Sequence, residues 1–344
     1  MARNQQLINA LCRQIYHIGM AELYYYPALP LLQFIGCQHI VATSAMPLES
    51  IYYKYLGFLN AVANRNIPVI GSGVTHKNEV KSREKEFIKI NKIYNKISNQ
   101  MGFNQVIDLQ NIITNVVKFI FVNNQPFMDF EFIENLFQEQ QSPFSHKIIH
   151  IGGIAIPQNN EELNDAEHAI FNYANQNSLS VILVSFGTIV SGQSMTNDEV
   201  TNIAASFGTF TQYLFIWKIE DNEIFNNYGN IFSFGWVNQR AILEHHLTVL
   251  FISHCGINSV LEAVKYGKPL LCIPFMADQF YNSKALATRR AALVYKKENG
   301  DFDDLPEKIN IALKNDGRIK RLQNKMNEVN PLHTFYQKMS ELLN

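Results

Sequence analysis

Short apolar runs alternate with longer amphipathic stretches along this chain, most regularly in its second half. The runs are rich in β-branched and aromatic residues and are bounded by Gly, Pro or Asn, which is typical of strands. Strands that alternate with helices form parallel sheets. The second half is therefore predicted to be a doubly wound α/β domain, with strands at Val181–Phe186, Tyr213–Trp217, Ile231–Phe234, Thr248–Ile252, Pro269–Ile273 and Ala291–Val294.

Helical segments separate these strands, and the first half shows a sparser version of the same pattern. The second-half helices are predicted at Glu161–Asn175, Asn197–Phe207, Asn258–Tyr266 and Gln279–Arg289. The first half has predicted strands at Ile15–Glu22, His39–Thr43 and Lys118–Asn123 and a lysine-rich helix over about Asn78–Ser98, so its sheet is expected to be incomplete. The glycine-containing segment His150–Gln158 is predicted to link a domain of residues 1–152 to one of residues 153–344.

Length and composition exclude several classes of protein. The 344 residues suit two domains of ordinary size, and 47% hydrophobic residues are enough for a core. The formal net charge of -1 provides no general attraction for nucleic acid. The sequence contains no apolar run of roughly 18 residues, so the chain as written is expected to be soluble.

No pair of cysteines has the close spacing that is typical of a zinc or redox motif. The four cysteines, Cys12, Cys37, Cys255 and Cys272, are too scattered to predict a disulfide framework. We therefore expect all four to be reduced packing residues, and we expect neither a metal ion nor a cofactor.

Polar residues cluster where the strand Thr248–Ile252 ends and a helix begins. The free amides and dipole of a helix N-terminus attract phosphate, and Gly256 permits close approach of a ligand to the backbone. His254 lies beside this terminus, and Asn258 and Ser259 fall in its first turn. Glu262 shares their helical face and can accept two hydrogen bonds from a ribose diol.

Three further segments converge on the same edge of the predicted sheet, where doubly wound domains bind ligands. Trp236 follows a strand in a turn and offers an indole face for a planar base. Asp278 and Gln279 follow the next strand at the level of a sugar. Taken singly, such residues are more often core, surface or helix-cap residues. Their joint placement predicts a nucleotide site, to which the end of the strand Val181–Phe186 adds Ser185 and the loop after it adds Gly187 and Thr188.

Residues 236–279 resemble the donor-binding signature of UDP-glycosyltransferases of the GT-B fold. The matching patterns are W-x-x-Q-x-x-I-L-x-H, F-x-x-H-x-G-x-N-S-x-x-E-A and G-x-P-x-x-x-x-P-x-x-x-D-Q. The resemblance implies two Rossmann-like domains, the first of which binds an acceptor and is incomplete here. It also implies that Trp236 stacks on uracil and that Gln239 contacts the nucleoside. The resemblance further implies that the diphosphate is held by His254, Asn258 and Ser259. By the same resemblance, Glu262 holds the ribose, and Asp278 and Gln279 hold the sugar.

The first half is similar to the acceptor domain of animal members of the family, but more weakly. Family members place a general-base histidine near their start and an acidic residue that orients it further along the chain. Glu22 occupies the position of the acidic residue, whereas the histidine has no counterpart in the sequence. Asn238 replaces a usual proline after Trp236, and we expect its side chain to cap the helix that follows.

The resemblance implies transfer of a hexosyl or glucuronosyl group from a UDP-sugar to a hydroxyl of a small lipophilic acceptor, with inversion. The alternative is a catalytically impaired UDP-sugar-binding protein, or a donor subunit that needs a partner chain for the acceptor half. The assemblies considered are a homo-oligomer and a complex with such a partner chain. A dinucleotide-dependent oxidoreductase is disfavoured because no Gly-x-Gly-x-x-Gly follows a strand. Family members are usually anchored in the endoplasmic reticulum membrane, but the membrane helix has no counterpart before Asn344.

Overall fold

The structure is a computed structural model that describes residues 5–58, 79–100, 106–139, 142–157, 161–187, 195–220, 223–295, 302–314 and 316–343. Within these ranges, the strands form two sheets in which every pairing is parallel. The first sheet has the order β1-β2-β3-β4, from Ile18–Glu22, His39–Ser44, Val117–Val122 and Ile148–His150. The second has the order β10-β9-β8-β5-β6-β7, with β5 to β10 at Ser180–Ser185, Tyr213–Lys218, Ile231–Phe234, Thr248–Ser253, Leu270–Cys272 and Ala292–Val294.

Helices connect the strands and cover the faces of both sheets. Among the described residues of the first half they are α1 to α6, at Gln5–Leu11, Ala28–Phe34, Ser50–Tyr55, Glu79–Gln100, Leu109–Asn111 and Glu131–Gln138. In the second half they are α7 to α14, at Asp165–Gln176, Asn197–Gly208, Gln239–Glu244, Ile257–Lys265, Gln279–Thr288, Leu305–Leu313, Asp316–Glu328 and Pro331–Leu343. Among the described residues, no helix combines the length and the apolar character needed to cross a bilayer.

The predicted α/β class and the parallel sheets are confirmed. The strands of the second sheet begin and end within one or two residues of the predicted positions. The segment His150–Gln158 was predicted to be a linker throughout, but its first residue, His150, belongs to strand β4. This strand has three residues, and its run of Ile148 and Ile149 was too short to distinguish from a connection.

Strand order in the second sheet reverses between β5 and β8. Strands β5, β6 and β7 follow one another in one direction, whereas β8, β9 and β10 follow one another in the other. Crossovers on the two sides of such a reversal leave a crevice at the carboxyl ends of the central strands. The ends of β5 and β8 are therefore the place where the fold itself provides a ligand site.

Both faces of the second sheet are buried, which explains its nearly continuous apolar runs. In β5, Val181 and Leu183 pack on one side of the sheet, and Ile182 and Val184 pack on the other. All four side chains have no solvent exposure. A strand of this kind has no polar face, and its two serines, Ser180 and Ser185, stand at its two ends.

The last helix returns to the first sheet. Phe335, Met339 and Leu342 of α14 pack against a cluster that contains Phe119 and Phe121 of β3. The rings of Phe335 and Phe121 lie 4.9 Å apart between centroids. The outer face of the first sheet is thus covered by the carboxyl-terminal end of the chain, and the two halves are connected by more than their linker.

A buried carboxylate also joins the two halves. Asp129, which precedes α6, accepts hydrogen bonds from the Tyr281 hydroxyl at 2.7 Å and from Asn124 Nδ2 at 2.8 Å. Arg289 Nε donates to the carbonyl of Asp129 at 2.6 Å, and its guanidinium pairs with Glu134 at 2.9 Å. Burial raises the pKa of Asp129 to about 6, although these donors act in the opposite direction.

We expect the contribution of Asp129 to stability to increase as the pH falls. Because its folded-state pKa of about 6 lies above the unfolded value of about 3.9, the folded chain binds an extra proton between these values. The gain is at most about 3 kcal/mol and is complete below about pH 4. Urea unfolding measures this gain. The free energy of unfolding of the native chain, minus that of Asp129→Asn, should be larger at pH 4.5 than at pH 7. A difference that shrinks there would mean that the hydrogen-bond donors outweigh burial.

Candidate functional site

Four strands of the second sheet end at the same level, and the last residues of β5, β6 and β8 form a polar row across the sheet. Ser185 at the end of β5 is in register with Lys218 of β6 on one side and with Ser253 of β8 on the other. Ser253 is in register with Cys272 of β9. This row lies at the crevice described above, so the fold brings Ser185 and the His254 turn together as predicted.

The turn after β8 places His254 between two glycines. A β-carbon on Gly187 would lie 2.8 Å from Nε2 of His254, and a β-carbon on Gly256 would lie 2.6 Å from the same atom. Both distances are shorter than real contacts of a β-carbon. Gly187 also has a φ of +81°, which disfavours any other residue. The imidazole therefore fits only because both neighbours lack a side chain.

His254 and Ser185 both carry buried polar atoms that lack hydrogen-bond partners within the described ranges. These atoms are Nδ1 of His254 and Oγ of Ser185. Burial lowers the pKa of His254 to about 4, so its ring is neutral at physiological pH. The backbone of Ser185 also contacts this ring and raises its pKa. A neutral ring has one N–H group, so Nδ1 donates to a ligand oxygen in the tautomer that carries the proton on Nδ1. In that tautomer, Nδ1 and the Ser185 hydroxyl suit a bound ligand with acceptor oxygens.

The cysteine prediction is wrong for two of the four residues. Cys255 and Cys272 form a disulfide with a Cα–Cα distance of 5.5 Å, whereas Cys12 and Cys37 are free. The pairing arises because the adjacent strands β8 and β9 bring residues 17 positions apart in sequence next to each other. The bond anchors the turn between His254 and Gly256 to the end of β9.

Helix α10 begins with the predicted diphosphate residues, but one of its free amides is already occupied. The backbone amide of Ile257 donates to Oδ2 of Asp278 at 3.0 Å. Asn258 is exposed in the first turn, and Ser259 is buried beside it. The first-turn amides of a helix have no intrahelical acceptor, so those of Asn258 and Ser259 are the groups that this turn offers to an anion.

Gln239, Ser259 and Glu262 form a hydrogen-bonded group at the predicted nucleoside position. Gln239 Nε2 donates to Glu262 Oε2 at 2.6 Å and lies 3.4 Å from Ser259 Oγ. Burial raises the pKa of Glu262, while the bond from Gln239 lowers it. Arg240 is 3.9 Å from the same carboxylate and also forms an ion pair with Glu161. Glu262 Oε2 is thus held in place by Gln239.

Trp236 is 69% exposed, which is unusual for a tryptophan and leaves ring surface available to a ligand. The Lys218 ammonium lies 4.4 Å from the centre of the ring, within the range of a cation–π contact. Burial lowers the pKa of Lys218, although nearby Glu262 raises it. Sequence reasoning missed Lys218, because a lysine at the end of a strand resembles an ordinary surface residue.

Asp278 and Gln279 are both buried and both hold backbone groups. Oδ2 of Asp278 also accepts from Asn282 Nδ2 at 2.6 Å. Oε1 of Gln279 accepts from the amides of Phe275 and Met276 at 2.8 and 2.9 Å. By accepting these hydrogen bonds, Gln279 holds the loop between β9 and α11, and Asp278 holds the start of α10. Their role toward a sugar stays a prediction.

Glu22 ends β1, and both of its carboxylate oxygens are occupied. They accept from the Thr43 hydroxyl at 2.8 Å and from the Ala45 amide at 3.1 Å. His17 instead contacts Gln38 at 2.9 Å. The position is thus that of an oriented carboxylate, and its role in catalysis stays a prediction.

Two other expectations have different outcomes. The side chain of Asn238 does not cap α9 as expected. The side chain donates to the carbonyl of Glu162 at 2.8 Å, and the backbone amide of Asn238 donates to the Glu167 carboxylate. Asn238 thus ties the turn to the first turn of α7 and to the segment before it. Thr188 lies outside the residues that the structure describes.

Comparison with known sequences identifies the family of the chain. The model of the family described as "UDP-glucoronosyl and UDP-glucosyl transferase" matches residues 67–326. An ecdysteroid UDP-glucosyltransferase of Autographa californica nuclear polyhedrosis virus is 32% identical over 149 residues, which are 43% of this chain and 29% of that protein. An anthocyanidin 3-O-glucosyltransferase of Solanum melongena is 34% identical over 119 residues, 32% of this chain and 26% of that protein. The aligned part of the chain thus spans less than a third of the length of these curated relatives.

Solved structures share the architecture. A UDP-glucosyltransferase from Polygonum tinctorium has a TM-score of 0.66 at 16% identity, over 94% of this chain and 75% of that chain. Phytolacca americana UGT2, complexed with UDP-2fluoro-glucose and pterostilbene, has a TM-score of 0.66 at 15% identity, over 98% of this chain and 79% of that chain. These similarities show that the two parallel sheets form the GT-B fold. Since the family model covers most of the sequence, the chain belongs to the UDP-glucuronosyl and UDP-glucosyl transferase family.

Proposed function

We propose that this chain binds a UDP-sugar at the carboxyl edge of its second sheet and provides the donor half of a glycosyl transfer. The observation that carries this proposal is that side chains suited to a base, a ribose and a diphosphate lie together around α10. Trp236 offers an exposed ring and Glu262 is a positioned carboxylate. The His254 turn contributes a buried nitrogen that has no partner in the part of the chain that the structure describes. Each group suits one part of a uridine diphosphate.

The same arrangement predicts how the ligand is held. The uracil stacks on Trp236 beside the Lys218 ammonium, and the ribose diol donates to Glu262. The diphosphate accepts from the start of α10 and from the neutral ring of His254. We assign the stabilisation of its charge to these groups rather than to a metal ion.

The proposed reaction is transfer of a hexosyl or glucuronosyl group to a hydroxyl of a small lipophilic acceptor, with inversion by in-line attack. Aromatic side chains near Glu22 support an apolar acceptor, because Tyr24 and Tyr25 are 63% and 66% exposed. Exposed aromatic rings that are close in sequence offer contact area for an apolar molecule. The identities of the sugar and of the acceptor stay open in this proposal.

A second candidate is a UDP-sugar-binding protein without efficient transfer, or a donor subunit completed by a partner chain or a second copy. The hydrogen bonds of Glu22 favour it, since in the described part of the chain they come from Thr43, Ala45 and Tyr24 and not from a histidine. A positioned general base contributes roughly 10²–10⁴-fold to such a reaction. The test measures glycosyl transfer by the chain alone and by the chain co-expressed with the N-terminal segment of another family member. Slow transfer by the chain alone and efficient transfer on co-expression would favour this candidate over a self-sufficient enzyme.

Thermal unfolding with different nucleotides tests the donor proposal. UDP at a hundredfold excess over its dissociation constant should stabilise the chain by about 2.7 kcal/mol, and ADP and NAD at the same concentration should stabilise it less. Replacing Gly187 with alanine should remove most of this response, because the new β-carbon would collide with His254. Equal stabilisation by UDP, ADP and NAD would contradict a uracil site.

Alanine at Gly229 is a suitable control. A β-carbon added there meets no atom of the described residues within 4 Å, and the residue lies between the strands β6 and β7. Gly229→Ala should leave the response to UDP unchanged.

A further inference from the structure

Asn123 lies where the first sheet meets the donor helix. It directly follows β3, and its backbone amide donates to the carbonyl of Ser44 at 2.8 Å. Its side-chain Nδ2 donates to the carbonyl of Ala45 at 3.2 Å and to Oδ1 of Asn258 at 2.9 Å. The first acceptor lies beside β2 and the second in the first turn of α10. One amide group therefore connects the two halves of the protein at the proposed cleft.

The bond to Asn258 determines which end of the Asn258 amide faces a ligand. A primary amide has an oxygen that only accepts and a nitrogen that only donates. Asn123 occupies the oxygen, so Nδ2 is the end of the Asn258 amide that remains for another partner. An ionised diphosphate offers only acceptor oxygens, so this orientation is the one that suits it.

We propose that Asn123 is a positioning residue for the donor, which holds the Asn258 amide with Nδ2 available to the diphosphate. This inference rests on the proposed function, because it assumes that the diphosphate binds at the start of α10. Asn123 acts through Asn258 and from the opposite half of the molecule. The donor site is therefore fully organised only when the two sheets have the arrangement seen here.

The same amide connects the donor site to Glu22. The Ala45 carbonyl accepts from Asn123, and the Ala45 amide donates to Glu22 Oε1 at 3.1 Å. A hydrogen-bonded chain thus runs from Glu22 through Ala45 and Asn123 to Asn258. The proposed acceptor side and the proposed donor side share this connection.

Asn123→Asp tests the inference, because a carboxylate of nearly the same shape has no hydrogen to donate. The Asn258 amide would then turn its Nδ2 toward the new carboxylate and its oxygen toward the diphosphate. We expect calorimetric titration to show about tenfold weaker binding of UDP, because one charge-assisted hydrogen bond to the diphosphate is lost. Uridine, which has no diphosphate, should bind within about twofold of its affinity for the native chain.

A double-mutant cycle separates positioning from simple packing. In the Asn258→Ala background there is no amide to orient, so adding Asn123→Asp should leave the ratio of UDP to uridine affinity unchanged. If Asn123 had only a structural role, Asn123→Asp would weaken the binding of both UDP and uridine, whether residue 258 is asparagine or alanine. Either that result or unchanged UDP binding by Asn123→Asp would overturn the inference.

Two controls complete the experiment. Asn172→Asp, at an exposed position of α7, adds the same charge away from the cleft and should bind UDP normally. If Asn123→Asp does not fold, Asn123→Ala takes its place, and the absence of any coupling with Asn258→Ala would overturn the inference. A native chain that binds no UDP would refute the proposed function itself, which is a distinguishable outcome.

Discussion

Replacing His254 with alanine should weaken UDP binding by roughly ten- to a hundredfold and change uridine binding much less. A hydrogen bond to a charged group contributes about 1.5–3 kcal/mol, and the diphosphate is the only charged part of UDP. We propose that the neutral ring of His254, whose pKa burial lowers to about 4, donates a hydrogen bond through Nδ1 rather than acting as a cation. Calorimetric titration with both ligands measures the difference directly.

The exposed His168 of α7 provides the matched control, since His168→Ala removes the same side chain from a solvent-exposed helix position. It should bind both ligands as the native chain does. An equal loss of UDP and uridine binding in His254→Ala would show that the histidine supports the pocket as a whole, and the phosphate role would then be wrong.

Glu262→Gln should weaken UDP and uridine alike, again by roughly ten- to a hundredfold. The substitution keeps the size of the side chain and an oxygen for Gln239, but it removes the charge that accepts from the ribose hydroxyls. Because burial raises the pKa of Glu262, native binding should also weaken as acid protonates this carboxylate. The affinities for uridine and 2′-deoxyuridine should become similar in the variant.

The control for this substitution is Glu244→Gln, at an exposed position at the end of α9. It removes the same charge and should preserve the preference for uridine over 2′-deoxyuridine. If Glu262→Gln also keeps that preference, the carboxylate does not bind the ribose.

Much of the site could be predicted because its residues follow strand ends. The position of His254 after β8 and the spacing from Asn258 to Glu262 on α10 depend only on local periodicity, which the sequence contains. Lys218 and Asn123 could not be found in this way. Their roles come from neighbours that are distant in sequence, Trp236 for one and Asn258 for the other.

The disulfide and the role of Asp278 depend on tertiary contacts in the same manner. Cys255 and Cys272 meet because β8 and β9 are adjacent in register, and strand order is not encoded by spacing. Asp278 was predicted to face a sugar, and in the structure its carboxylate accepts from the Ile257 amide. The short strand β4 was missed because three residues give too little periodicity to recognise.

Tryptophan fluorescence during UDP titration tests the central claim, that UDP binds at the carboxyl edge of the second sheet with its base on Trp236. The chain has two tryptophans, of which Trp217 is fully buried and Trp236 is 69% exposed. UDP should quench the exposed tryptophan and protect it from acrylamide, and Trp236→Phe should abolish both changes. Binding of UDP that is detected by calorimetry but leaves Trp236 fully accessible to acrylamide would place the nucleotide elsewhere and contradict the account.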